Sequence, residues 1–199
     1  MNIYAIAGIL VSICLCASPA AAESDHRVVA PLSTADAAKL RFMCKEEKLA
    51  RDVYISLNET WKKDVFRKNV AIEQEHMDQI KTLLQRYGVP DPISDYTPGK
   101  FDDDKLVFLH DSMTWRGKNS IVDALKVAAA IEEMDIADLE ESISISANDE
   151  IRRVYQTLLQ GSKEHLVSYV KEIQSLGKTY EAQFLAPKDL NRILDSEMR

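Results

Sequence analysis

Cysteine is scarce in this 199-residue chain, which has only Cys14, Cys16 and Cys44. The first two lie in MNIYAIAGILVSICLCASPAAAES, where the uncharged apolar run Ile3 to Ala17 is followed by Pro19 and Ala20-Ala21-Ala22. That is the pattern of a secretory signal cut after Ala22; the run is short for a membrane span and no stop-transfer charges follow it. The competing reading is an uncleaved anchor, since no Lys or Arg stands near Met1. Cleavage leaves Cys44 alone, so a periplasmic or secreted domain of residues 23–199 has no internal disulfide. Its stability must come from a core, with or without the help of a metal. No stable membrane insertion is expected once the signal is gone.

Other absences narrow the function. Twenty-five Lys and Arg against 32 Asp and Glu leave a net charge of −7 without a basic cluster, which argues against nucleic acid as a partner. The sequence offers no Gly-rich phosphate loop and no Ser-His-Asp arrangement. There is no internal repeat, no low-complexity tract, and no segment alternating with strand periodicity long enough to matter.

Helical signals fill the space these absences leave. After a flexible lead-in over 23–33, Leu40, Met43, Glu47, Ala50, Tyr54, Leu57 and Trp61 follow at spacings of three and four. A turn at Trp61 to Asp64 leads to a second helix, Val65 to Tyr87, stopped by Gly88. VPDPISDYTPGKF forbids regular helix, and a short amphipathic helix, Asp102 to Trp115, lies within this connection. A third stripe runs Ile121, Leu125, Ala128, Glu132, Asp135, Leu139 and Ile143. A fourth runs Ile151, Tyr155, Leu158, Ser162, His165, Tyr169, Ile173 and Leu176. The expected fold is all-α: a four-helix bundle over 34–177 with one long crossover, the connectivity of ferritin-like bundles, and a tail or short helix over 178–199.

Each stripe is interrupted by polar residues near its middle: Glu47; Glu73 with His76; Glu132 with Asp135; Ser162 with His165. Burying several carboxylates together is expensive unless a cation removes the repulsion. Residues three apart share a helix face, so Glu-x-x-His can point two ligands inward together. Antiparallel helices meet at one level when equal lengths separate that level from the turn. The midpoint of Glu47 and Glu73 falls beside Trp61, and that of Glu132 and Ser162 falls inside the SANDE turn. All four polar groups are therefore expected at one level. Glu46, Glu75, Glu133 and Glu164 would exchange with them on a one-residue error in phase. The bland alternatives are solvated acidic faces, and a core His165 bonded to Tyr155 or Ser162. Met43, Met77 and Met134, with Cys44 nearby, allow Cu(I) handling, though helix methionines are more often core filler.

EEKLARDVY (46–54), EQEHMDQIKTLLQRYG (73–88), IEEMDIADL (131–139) and VYQTLLQGSKEHL (154–166) resemble a bacterial domain-of-unknown-function family of the ferritin-like superfamily. More distantly, the pattern is similar to the di-iron domain of rubrerythrins. That resemblance implies Glu47, Glu73, His76, Glu132, Asp135 and His165 as metal ligands and Tyr54 as a hydrogen-bonding partner behind them. It implies one or two Fe ions, with Mn or Zn as alternatives, and ferrous iron oxidation by oxygen or peroxide, or peroxide reduction. A homodimer is compatible with it. The chain departs from the pattern where Ser162 replaces a glutamate, where Asp135 is the shorter acid, and where rubredoxin-like Cys pairs are absent. Ser162 favours the alternative of a non-catalytic, metal-stabilised or purely structural bundle acting as a binding module.

Overall fold

A computed structural model describes residues 32–197. The expected signal segment and most of the lead-in lie outside the described residues. The architecture is all-helical, with six helices and no strand among the described residues: α1 (Thr34–Trp61), α2 (Asp64–Arg86), α3 (Asp104–Gly117), α4 (Ile121–Ile145), α5 (Asp149–Ser175) and α6 (Pro187–Glu197). None is long and apolar enough to cross a membrane.

Local chemistry sets the boundaries. Ser33 caps α1 by accepting from the Asp36 N–H while its hydroxyl donates to the Asp36 carboxylate, a reciprocal cap that Ser120 and Asp123 repeat on α4. Asn148 caps α5 through the N–H groups of Glu150 and Ile151. Lys62 takes the left-handed conformation (φ 51°) that ends α1, leaving only a tight link before α2. Gly88 (φ 65°) ends the α2 segment, where the Val89 N–H returns to the Leu84 carbonyl.

The four long helices pack in a closed ring, α1 on α2, α2 on α5, α5 on α4 and α4 on α1. The short links make α1–α2 and α4–α5 hairpins, and the connection from Tyr87 to Ser120 carries α3 across α1 and α4. Three residues within about one turn along α1 hold this connection down. The buried Lys48 ammonium donates to Asp52 Oδ2 (2.5 Å) and to the carbonyls of Lys100 (2.8 Å) and Thr97 (3.2 Å). The Gly99 N–H donates to the same Asp52 oxygen, and Arg51 spans Asp52 Oδ1 and the Tyr96 carbonyl. At the other end, Glu133 Oε2 on α4 accepts from three successive backbone N–H groups, those of Gln183, Phe184 and Leu185, at 2.6–2.9 Å. This clamp fixes the segment that leads into α6, whose Leu190 and Ile193 are buried.

The apolar core is split in two. One cluster takes Leu49, Val53 and Leu57 of α1, Phe66 of α2, Ala124 to Ile131 of α4, and Leu166 to Ile173 of α5. The other takes Leu40, Met43 and Cys44 of α1, Met77, Ile80 and Leu84 of α2, Leu139 of α4, and Ile151 to Leu158 of α5. Each buried Leu or Ile contributes about 2 kcal/mol. Between the two lies a polar layer to which all four long helices contribute. The fourth stripe stops one position early, since Leu176 is exposed. Met43, Met77 and Cys44 pack in the second apolar cluster, and burial pushes the Cys44 thiol up to about 12.

Candidate metal centre

Glu47, Glu73, His76, Glu132, Asp135, Ser162 and His165 are all buried in this layer, as is Tyr54 beside it. Two triads form within it. Ligand atoms of Glu47, Glu73 and His76 lie within 4.8 Å of one another, and so do those of Glu73, Glu132 and His165. Glu73 belongs to both. Its Oε2 is 2.9 Å from His76 Nδ1 and its Oε1 is 2.8 Å from His165 Nδ1. Glu47 Oε2 stands 3.4 Å from His76 Nδ1, and Glu132 Oε1 stands 3.2 Å from His165 Nδ1. The imidazoles face each other at 5.9 Å between ring centres.

Helix geometry produces this convergence. Glu73 and His76 are three apart on α2, so both reach inward, while His165 on α5 and Glu132 on α4 approach from the opposite hairpin. Tyr54, two turns beyond Glu47 on α1, donates to Glu132 Oε1 at 2.6 Å and orients that carboxylate. Its ring rests on Tyr169, 5.5 Å away, which keeps the layer sealed on that side.

Many polar atoms here have no hydrogen-bond partner: both oxygens of Glu47, Glu73 Oε1, Glu132 Oε2, Asp135 Oδ2, and both ring nitrogens of His165. His165 Nδ1 is close to two carboxylates without the alignment a hydrogen bond needs. Donor atoms that converge on a point rather than on one another suit a shared cation.

Protons offset the crowding of carboxylates in the electrostatics of this layer. Burial drives Glu47 up to about 8, against the opposing pull of His76. Burial alone would raise Glu73 too, but His165 and His76 outweigh it and hold Glu73 well below the usual carboxylate range. Burial would lower both imidazoles; the carboxylates instead raise His76 to about 10 and His165 well above its ordinary value. Burial also raises Glu132 and, more strongly, Asp135, with Glu47 and Glu46 adding to the latter.

Four positions differ from the simple expectation. Asp135 is buried in the layer but belongs to neither triad. The Ser162 hydroxyl donates back to the Leu158 carbonyl (3.2 Å) rather than facing the ligands. Glu46 and Glu133 are buried, whereas Glu75 and Glu164 are exposed. His165 bonds neither Tyr155 nor Ser162. Gly161 is the site residue that stripe patterns could not reveal: a Cβ there would lie 2.6 Å from His76 Nε2. Its missing side chain is what lets the ring sit against α5. The outer edge of His76 borders an open groove of about 710 Å³ between α2 and α5, which Glu75, Gln79, Arg153 and Gly161 also line.

The family described as "Uncharacterized protein domain (DUF2202)" matches residues 36–197. The chain is 39% identical over 166 residues to the uncharacterized protein MJ0754 of Methanocaldococcus jannaschii, covering 83% of this chain and 90% of that protein. It is similar to the crystal structure of the hypothetical protein MJ0754 from Methanococcus jannaschii DSM 2661, with a TM-score of 0.82 and 38% identity. That match covers 85% of this chain and 97% of the other.

Proposed function

We propose, for a chain that belongs to the DUF2202 family of uncharacterized domains, that it is an exported ferritin-like protein binding two transition-metal ions. The observation that carries this is Glu73, a fully buried carboxylate with one oxygen turned to each imidazole. Glu47 and His76 complete one position, and Glu132 and His165 complete the other. Three protein ligands per ion leave coordination open to small molecules. Carboxylate with imidazole suits Fe, Mn or Zn, of which Fe is the reading taken here. The ferritin-like assignment is supported by the closed ring of four long helices, the two hairpins and the long crossover bearing α3. Export is supported by the residue pattern of positions 1–22 alone.

Bound iron would supply one-electron chemistry toward oxygen or peroxide. The protein's own part is to orient Glu132 through the Tyr54 hydroxyl and to accept protons on the carboxylates. It also keeps bulk water behind the two apolar clusters. A second reading, a resident metal without turnover, is favoured by Ser162, whose hydroxyl is committed to Leu158 where a further carboxylate would stand.

Elemental analysis of untagged protein after reconstitution with Fe, Mn and Zn in turn tests the centre. About two ions per chain are expected for one of these metals, and close to none in a Glu73→Ala, His76→Ala double variant. Less than about a tenth of an equivalent in the wild-type protein refutes metal binding. Equal oxygen and peroxide consumption by the two proteins on adding Fe(II) removes catalysis and leaves the second reading.

A further inference from the structure

The acids of α4 do not stop at the centre. Glu132, Asp135, Asp138 and Glu141 recur every three residues, so each stands about 60° around the helix and about 4.5 Å along it from the last. Their burial follows that rotation: Glu132 and Asp135 are buried, Asp138 is half-buried and Glu141 is exposed. The antiparallel α1 matches them step for step. Tyr54 bonds Glu132 at the inner end and Lys39 pairs with Glu141 at the outer, so Glu46 falls between them on α1 opposite Asp138, where burial and the Asp138 charge raise it. Asp135 lies between, with Glu47 and Glu46 as the acids that perturb it most.

Two of these carboxylates each keep one buried oxygen without a partner. Glu46, 7% exposed, has Oε2 buried without a partner, and Asp135, 3% exposed, has Oδ2 in the same condition. Neither belongs to the two triads, and the carboxylate pair Glu46–Asp138 has no imidazole. A helix spends little stability on a solvated acid, but burying such acids one turn from a cluster of others is costly. A structural role does not explain that cost, because aliphatic residues would pack there better. A passing cation does.

We infer that Glu46, Asp135 and Asp138 form a carboxylate ladder that carries divalent transition-metal ions from the surface along the α1–α4 seam to the Glu73 centre. The inference rests on the two-ion centre proposed above. The ladder is a route rather than a store: its oxygens do not close around one point as those of the triads do. The competing entrance is the groove between α2 and α5 at His76.

Stopped-flow uptake of Co(II), read by its visible ligand-field absorption, separates these routes in the full-length protein. Glu46→Gln and Asp138→Asn are each expected to slow uptake at least tenfold while leaving the final Co(II) per chain unchanged. Glu75→Gln and Gln79→Ala, on the opposite groove, are expected to load at the wild-type rate. Asp138 is half-buried on a helix face, and melting curves confirm that each variant is folded. Wild-type rates in both ladder variants overturn the inference, as does slowing confined to the groove variants. Reduced final occupancy in the ladder variants also overturns it, because those residues would then be ligands. Absence of Co(II) uptake by the wild-type protein refutes the centre itself, and the ladder falls with it.

Discussion

Replacing Gly161 with alanine sets helix propensity against the geometry of His76. Alanine is the better helix former by about 1 kcal/mol, so in an ordinary helix interior the change stabilises. On α5 the new methyl would stand 2.6 Å from His76 Nε2 and 2.7 Å from Cε1. Carbon contacts are comfortable at about 3.5 Å, so the ring must retreat by about 0.9 Å. Metal–ligand distances tolerate about 0.2 Å. The ring therefore cannot clear the methyl and keep its bond to the ion. Displaced or misoriented ligands typically weaken metal binding by about 10–100-fold, and that loss is expected here. Metal-free Gly161→Ala gains helix propensity but strains the His76 pairing with Glu73 and Glu47, so its melting temperature should stay near the wild-type value. Gly117→Ala is the control: its methyl would lie 2.4 Å from Leu57 Cδ2, so it should lower stability and leave metal affinity alone. Anaerobic Mn(II) calorimetry with parallel thermal melts reads both quantities. Wild-type Mn(II) affinity and stoichiometry in Gly161→Ala would refute His76 as a ligand held in place by α5.

Three further outcomes follow from the same layer and its surroundings. In the metal-free protein the raised His76 value contributes stability that is fully present below about pH 6.5 and lost as pH rises through about 10; Glu47, raised to about 8, subtracts stability as pH climbs from the ordinary carboxylate range to about 8 and no more beyond it. Melting temperature should therefore fall from pH 6.5 to 10 without metal and much less with it, and a flat metal-free curve would contradict the pairing. Loading the Glu47–Glu73–His76 position at pH 7 should release protons from both His76 and Glu47, measurable by calorimetry in buffers of different ionisation enthalpy. Lys48→Met should cost about 3 kcal/mol in urea unfolding, at the low end for a broken buried pair because Arg51 still meets Asp52. A loss below about 1 kcal/mol would show that the crossover is held elsewhere.

The four long helices and their polar level were legible because both depend on periodicity. Leu40 to Leu57, or Ile151 to Ile173, repeat at helical spacing, and the hairpin midpoints bring Glu47, Glu73, Glu132 and His165 together. What periodicity could not show depends on contacts across long stretches of chain. Glu133 looks like a phase neighbour of Glu132 until residues 183–185 supply its three donors. Glu46 is interpretable only with Asp138 of the facing helix. Asp135 shares the inward stripe of α4, yet one turn of rotation takes it out of the triads and toward Glu46. Gly161 carries no side chain for a pattern to register, and its role exists only because His76 lies against it.

The clamp at Glu133 also has a meaning for how the chain is made. Residues 183–185 are synthesised after all four long helices, so until they emerge Glu133 remains in water beside a dry face of α4 that nothing covers. Leu190 and Ile193, with Leu194 packed beside them, join the first cluster after all four long helices. A chain that ends prematurely, even with every proposed ligand already in place, would thus show chaperones and proteases an uncovered flank next to Glu132. Arrival of residues 183–185 and closure of that flank are one event, registered at a single carboxylate oxygen.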